Sequence, residues 1–202
     1  MNINIETSDK WTSTGTFQLL DLQDDISRQR ENYSTNARRI LKNHTDDFKF
    51  EENSDASAFV SFFKAQVGFK YGNLKELHYG RLEALIETAI RKDIGTISTI
   101  MYNGAPIAMA FFIDLNGVRY YVKGASSEKA KEVGAMFHLI DHGIENAVGK
   151  GLKKFDFVGS NTKGVADFNK KFGAIDRKYL ILKYNGVSWP LRSLVNRKFG
   201  IK

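Results

Sequence analysis

The chain of 202 residues contains no cysteine. Disulfides, a thiolate nucleophile and any cysteine-based metal site are therefore excluded, and a covalent intermediate would need a different nucleophile. Proline occurs only 2 times, so no Pro-rich linker divides the chain, and no low-complexity tract or internal repeat is visible. No stretch approaches the roughly 20 apolar residues of a membrane span. Met1 to Lys10 is polar and lacks the apolar centre of a signal peptide, so the expected location is cytoplasmic. Acidic residues are the minority charge, 23 against 30 basic, for a formal net charge of +7. That balance favours polyanionic partners such as phosphorylated cofactors, RNA or an acidic membrane surface. The basic excess falls at Arg28 to Lys42, Lys163 to Lys178 and Arg192 to Lys202.

What is present reads as one mixed α/β domain. Residues 1–15 are expected to form a loose arm, 16–185 the domain, and 186–202 a basic tail, helical from Pro190 onward. Thr16 to Leu22 reads as a strand. Asp24 and Asp25 offer a cap for one charged helix, and Ser34 and Asp55 are positioned to cap two more, over Thr35 to Asn43 and Ala56 to Val67. Phe59, Phe62, Phe63 and Val67 recur at helical spacing, a core stripe. Lys49 to Glu51 reads as an edge strand and Leu77 to Lys92 as a further helix. Two Asn-Gly pairs, Asn103-Gly104 and Asn116-Gly117, separate three apolar β-branched runs, which specifies an antiparallel meander. Tyr179 to Tyr184 alternates so poorly that burial on both faces is expected.

The chain is organised around Val118 to Gly173. A strand, Val118 to Gly124, leads through a polar turn into a helix, Lys131 to Lys150, whose apolar positions Met136, Phe137, Ile140, Ile144 and Ala147 repeat at 3.6 residues. A second strand, Lys154 to Gly159, and a short helix, Val165 to Lys171, follow. A strand feeding a helix with an open N-terminus is a ready anion site, which points to group transfer from a phosphate-bearing donor. His138, Asp141, His142 and Glu145 form a polar stripe on the long helix. Two histidines at i and i+4 can share a metal, but no third ligand stands at a suitable spacing, and no metal is expected.

Three passages carry a family resemblance: Asn32-Tyr33-Ser34-Thr35-Asn36-Ala37-Arg38-Arg39, Phe155-Asp156-Phe157-Val158-Gly159, and Gly164 to Gly173. With the meander they resemble the GNAT acyltransferase superfamily, and within it the FemAB-like branch, over about Phe17 to Tyr184. The resemblance implies a GNAT fold: a mixed, bent sheet with helices on both faces and two central strands that splay around a donor. The donor it implies is acyl-CoA or, as in Fem-type peptidyltransferases, aminoacyl-tRNA. The acceptor it implies is a small-molecule or peptide amine. Fem-type members carry two such domains, and this chain resembles the second, so a partner domain or a homodimer is a further expectation. The alternative function is a non-catalytic module binding RNA or another polyanion.

The same resemblance assigns site residues. Backbone amides from Ser127 through Ala135, including Val133 and Gly134, would cradle phosphate with help from Lys129 or Lys131; for Gly134 a packing role stands beside this one. Backbone groups of Val122, Lys123 and Gly124 would pair with the donor and polarise its carbonyl. Asn161 and Lys170 fit superfamily positions after the fifth strand of the fold. Phe168 stands where a proton-donating tyrosine is common, and Asn169 where Fem-like enzymes carry a lysine. Asp156 is a candidate contact for the acceptor amine, or a surface carboxylate. Of Tyr120 and Tyr121, alternation sends one toward the cleft.

Overall fold

Both Asn-Gly pairs turn the chain as their residue types demand. Asn103 and Gly104 lie at φ 50° and 77°, and Asn116 and Gly117 at 52° and 76°, the left-handed pair that matches the twist of a two-residue hairpin. They join β3 (Gly95–Tyr102), β4 (Ala105–Leu115) and β5 (Val118–Ser126) into the expected meander. The computed structural model describes residues 12–43, 47–68, 74–158, 162–182 and 191–198. Asn161 and most of the expected N-terminal arm lie outside the described residues, as do 183–190 and 199–202 of the C-terminal region.

Around the meander stand β1 (Thr12–Asp21), α1 (Ile26–Glu31), α2 (Thr35–Ile40), β2 (Lys49–Asn53), α3 (Ala56–Val67) and α4 (Glu76–Arg91) on its N-terminal side. After β5 come α5 (Glu128–Glu132), α6 (Ala135–Gly149), β6 (Lys154–Asp156), α7 (Lys163–Lys170), β7 (Ile175–Leu182) and α8 (Leu191–Lys198). Of Asp24 and Asp25 it is Asp25 that caps, accepting from the amides of Ser27 and Arg28, while Ser34 accepts from Ala37 and Asp55 from Ala58 as expected. The strands form one seven-stranded sheet in the order β2-β3-β4-β5-β6-β1-β7. Every pairing is antiparallel except β5 with β6.

Side-chain alternation along β4 divides the core. Ala108, Ala110 and Phe112 pack with Leu139, Ile140 and Ile144 of α6, whereas Met109 and Phe111 pack with Phe59 and Phe63 of α3 and Ile86 of α4. Helices therefore cover both faces of a mixed sheet, the architecture the resemblance implies. No helix among the described residues is long and apolar enough to cross a membrane.

Four expectations need correction. The helix expected over Lys131 to Lys150 is two helices, because Gly134 takes φ 69° and breaks the run between α5 and α6. The strand expected over Lys154 to Gly159 stops at Asp156, whose Oδ1 accepts from the Val158 amide at 2.7 Å and turns the chain, with Val158 at φ 52°. Strand β1 begins at Thr12 rather than Thr16. Finally, β7 is an edge strand paired only with β1, and residues 175–180 are exposed, so its broken alternation reflects an edge rather than double burial.

One buried charge holds the meander to α6. The Arg119 side chain is 1% exposed; its Nε and Nη2 donate to the two Asp114 oxygens at 2.7 and 2.6 Å, and Nη1 donates to the Gly143 carbonyl at 2.9 Å. Its guanidinium also lies 5.4 Å from the centre of the Phe112 ring. Removing one partner of such a pair strands the other charge, so Asp114→Ala is expected to lower stability by about 3 kcal/mol in urea unfolding. Burial alone would raise the Asp114 carboxyl, but the bonds from Arg119 and Lys150 outweigh it and hold the pKa below its ordinary 3.8. A depressed folded pKa contributes stability above the unfolded value and loses it as pH falls through the folded one. Acid unfolding below about pH 4 should accordingly be steeper in the wild type than in Asp114→Asn.

Candidate active site

Strands β5 and β6 pair for three residues only, Val118 to Tyr120 against Lys154 to Asp156. Beyond that point they part. On β5 the register shifts between Phe111 and Phe112 of β4, so that Tyr121 and Lys123 face consecutive partners and Val122 is the extra residue of a bulge. On the other side the chain after β6 stays with β1, the Phe157 amide donating to the Gln18 carbonyl at 3.0 Å. Among the described residues the β5–β6 ladder ends at Tyr120 and Asp156, and no strand of the sheet pairs with β5 on that side beyond it.

An aromatic wedge fills the fork. Tyr121 meets Phe157 edge-on at 6.3 Å, Phe157 stacks on Phe172 at 6.2 Å, and Phe172 contacts Phe168 at 5.3 Å and Phe137 at 5.8 Å. Tyr33 meets Phe172 at 5.2 Å, and the Ser34 amide donates to the Lys171 carbonyl at 2.8 Å. The three separated sequence passages thus converge on one cluster. Above it opens a cleft of about 390 Å³ walled by β5, by the α5–α6 junction and by α7.

Of the residues expected there, Gly124, Lys131, Gly134 and Asn169 line the cleft, joined by Tyr121, Ser126, Met136, Phe137, Val165 and Phe168. Lys131 also pairs with Glu128 one turn away. The others sit elsewhere, for physical reasons. The bulge turns Val122 and Lys123 to the α3 face, where the Lys123 ammonium lies 5.3 Å from the centre of the Phe63 ring and burial lowers its pKa; their backbone alone reaches the open edge. Lys129 reaches Glu132 at 3.0 Å and the Tyr102 ring at 5.9 Å instead of the cleft. Val133 and Ala135 are core residues that can offer only backbone. Lys170 is tied to Asp176 at 2.6 Å.

Asp156 points into a separate hollow with Phe17, Val158 and Tyr179, where burial raises its pKa against the opposing Val158 amide. Gly134 lines the cleft, and a side chain there would meet Ile40 Cγ2 at 2.6 Å, which is the packing contact expected of it. As N-cap it brings no side chain to the first amides of α6, and no acidic residue stands in that first turn. A helix start of this kind suits an anion.

The polar stripe on α6 lines a different concavity of about 510 Å³ with Arg30, Arg38 and Lys42. Arg30 bonds Asp141 at 2.6 Å and Glu145 at 3.0 Å, and His142 stacks on Phe50 at 4.4 Å. Burial lowers the His142 pKa. Among the described residues no group of three or more His, Cys, Asp or Glu is placed to hold a metal.

Sequence comparison matches residues 27–169 to the acetyltransferase (GNAT) domain. The chain belongs to this family. No curated protein sequence matches it. Among solved structures, the GNAT domain superposes on FemX with a TM-score of 0.71 at 11% identity, covering 89% of this chain and 63% of FemX. It also resembles the C-terminal domain of a putative lysylphosphatidylglycerol synthetase from Agrobacterium fabrum, with a TM-score of 0.60, 14% identity and coverage of 96% and 67%. A third likeness is an aminoglycoside acetyltransferase from an uncultured soil metagenomic sample, solved with sisomicin, at TM-score 0.54, 13% identity and coverage of 72% and 99%. These likenesses concern the fold, and the chain spans less than two thirds of FemX.

Two residues behind the wall of the cleft escape a reading of the sequence alone. Gln18, on β1 and 151 positions away, accepts from Asn169 and donates to Asp176, which pairs with Lys170 from β7. Gln18 interrupts the apolar run Phe17, Leu19, Leu20, a faint signal that only its burial makes meaningful. For Gly134, the φ and the Ile40 contact give separate penalties. Gly134→Ala should destabilise by about 1–2 kcal/mol from the left-handed backbone alone, with a further steric loss that Ile40→Ala relieves. Urea midpoints of the two single variants and the double variant measure that coupling.

Proposed function

We propose that this GNAT domain transfers an acyl group from a phosphate-bearing donor directly to an amine, without a covalent enzyme intermediate. The observation that carries the reading is the fork: β5 and β6 cease to pair after Tyr120 and Asp156, and the cleft beside β5 opens onto the start of α6, which no side chain caps. Anionic phosphate would lie against the first amides of α6 with Lys131 beside it. Backbone groups of Val122, Lys123 and Gly124 would hydrogen-bond the donor chain and polarise its carbonyl. The neutral acceptor amine then attacks the carbonyl carbon, the C–N bond forms as the bond to the donor's sulfur or oxygen breaks, and the proton shed by the nitrogen passes to solvent.

The chemistry of the wall favours a thioester. Phe168 lies in the cleft against Phe137 at 5.0 Å and has no proton to give to a leaving group. A thiol of ordinary acidity, pKa about 8.5, departs as a thiolate without one. A ribose alkoxide is far more basic. Acyl coenzyme A is therefore the first donor to test, with aminoacyl-tRNA the second, and a small-molecule or peptide amine the acceptor. The net charge of +7 and the missing acid favour one rival reading, a non-catalytic module that binds RNA or another polyanion.

Equilibrium titration with acetyl coenzyme A, with charged tRNA and with uncharged tRNA separates these. Saturable binding of acetyl coenzyme A, weakened about two- to fivefold in Lys131→Ala, is the expected result. Binding confined to nucleic acid irrespective of charging, and abolished by moderate salt, replaces the transferase reading by the polyanion one.

A further inference from the structure

Asn169 is 1% exposed, lies in the wall of the cleft and has its Oδ1 without a hydrogen-bond partner among the described residues. Buried carbonyl oxygens are seldom left in that state, because desolvation is not recovered unless a donor arrives. An amide side chain can usually escape by rotating half a turn and offering its nitrogen instead. Here it is prevented from doing so by a chain of three partners. The Lys170 ammonium holds Asp176 Oδ2 at 2.6 Å. The bonds from Lys170 and Gln18 keep the Asp176 pKa below its ordinary value, so the group is a carboxylate that can only accept. Gln18, itself 1% exposed, must turn Nε2 toward Asp176 Oδ1, at 3.0 Å, which leaves its Oε1 facing Asn169. Asn169 must then donate Nδ2 to that oxygen, at 3.2 Å. The free atom is consequently Oδ1.

We propose that Asn169 is a ligand-contacting residue whose Oδ1 accepts a hydrogen bond from an N–H group of the bound substrate, and that Lys170, Asp176 and Gln18 are positioning residues that fix its amide in the accepting orientation. The inference rests on the transferase reading of the cleft and sharpens it: the occupant must present an amide or amine nitrogen beside α7. A lysine at this position would select an acceptor atom on the ligand; asparagine held this way selects a donor. Lys170 thereby has a role although its ammonium does not enter the cleft. The required N–H can come from the pantetheine amides of a coenzyme A donor or from the amino group of an aminoacyl donor.

Calorimetric titration with acetyl coenzyme A and with 3′-alanylamido-3′-deoxyadenosine, a stable stand-in for a charged tRNA end, distinguishes the two sources by which probe binds. Asn169→Leu is expected to weaken the bound probe about tenfold, the value of one hydrogen bond in a dry site. Asp176→Asn, at an exposed residue outside the cleft, lets Gln18 adopt either orientation and is expected to weaken binding about threefold in the wild type and not at all in the Asn169→Leu background. Equal losses in both backgrounds overturn the relay. Wild-type affinity in Asn169→Leu, with its thermal midpoint recorded to establish folding, overturns the ligand contact. A wild-type protein that binds neither probe overturns the donor reading itself, and the contact with it.

Discussion

The brevity of the β5–β6 pairing governs everything else in this protein. A parallel pair that ran the full length of β5 would seal the sheet and satisfy its backbone; here it ends after Tyr120 and Asp156. Two local events force the separation. The Val122 bulge shifts the register of β5 against β4, and the Asp156 side chain turns the chain at Val158 while β1 keeps hold of Phe157. The fork is thus made by neighbours on each outer side, and any occupant enters between strands already held apart.

A gap in a sheet has to be filled below and left open above. Aromatic rings do the filling, since Tyr121, Phe157, Phe172 and Phe168 meet at centroid separations of 5.3 to 6.3 Å and carry no group that water must reach except the tyrosine oxygen. Their placement also explains the departure at Phe168. The ring contributes to the wedge and gives the cleft an apolar wall, at the loss of a proton donor. Under the proposed reading, transfer would rest on positioning and backbone polarisation and would suit a leaving group that needs no acid. The polar exception in that wall is Asn169, and its orientation is decided from outside by the Asp176 carboxylate.

Much of the fold was legible in the sequence because its signals are local. Asn-Gly at a hairpin, Asp or Ser before an apolar repeat, and a 3.6-residue stripe each report chain geometry within a few residues, and the meander, the caps and α6 follow them. Two of the readings that failed depended on distant partners. Gly134 looks like one small residue within a continuous helix until Ile40 and its left-handed backbone are seen. The final strand looks doubly buried until its place at the sheet edge is known.

The candidate site divides in the same way. Gly124, Lys131, Gly134 and Asn169 could be named from the family pattern because that pattern orders them along the chain, and all four line the cleft. The sequence by itself determined the family, the order of elements and the residue types available to a donor site, since these depend on short-range periodicity and motif spacing. Only the tertiary structure decided which side chains face the cleft. A single bulge sends Lys123 to the other face, and one ion pair turns Lys170 from a cleft residue into an anchor. Side-chain direction is set by register and by partners the fold brings together, such as Gln18 with Asn169 and Asp176 across more than 150 positions, and neither is written in the local sequence.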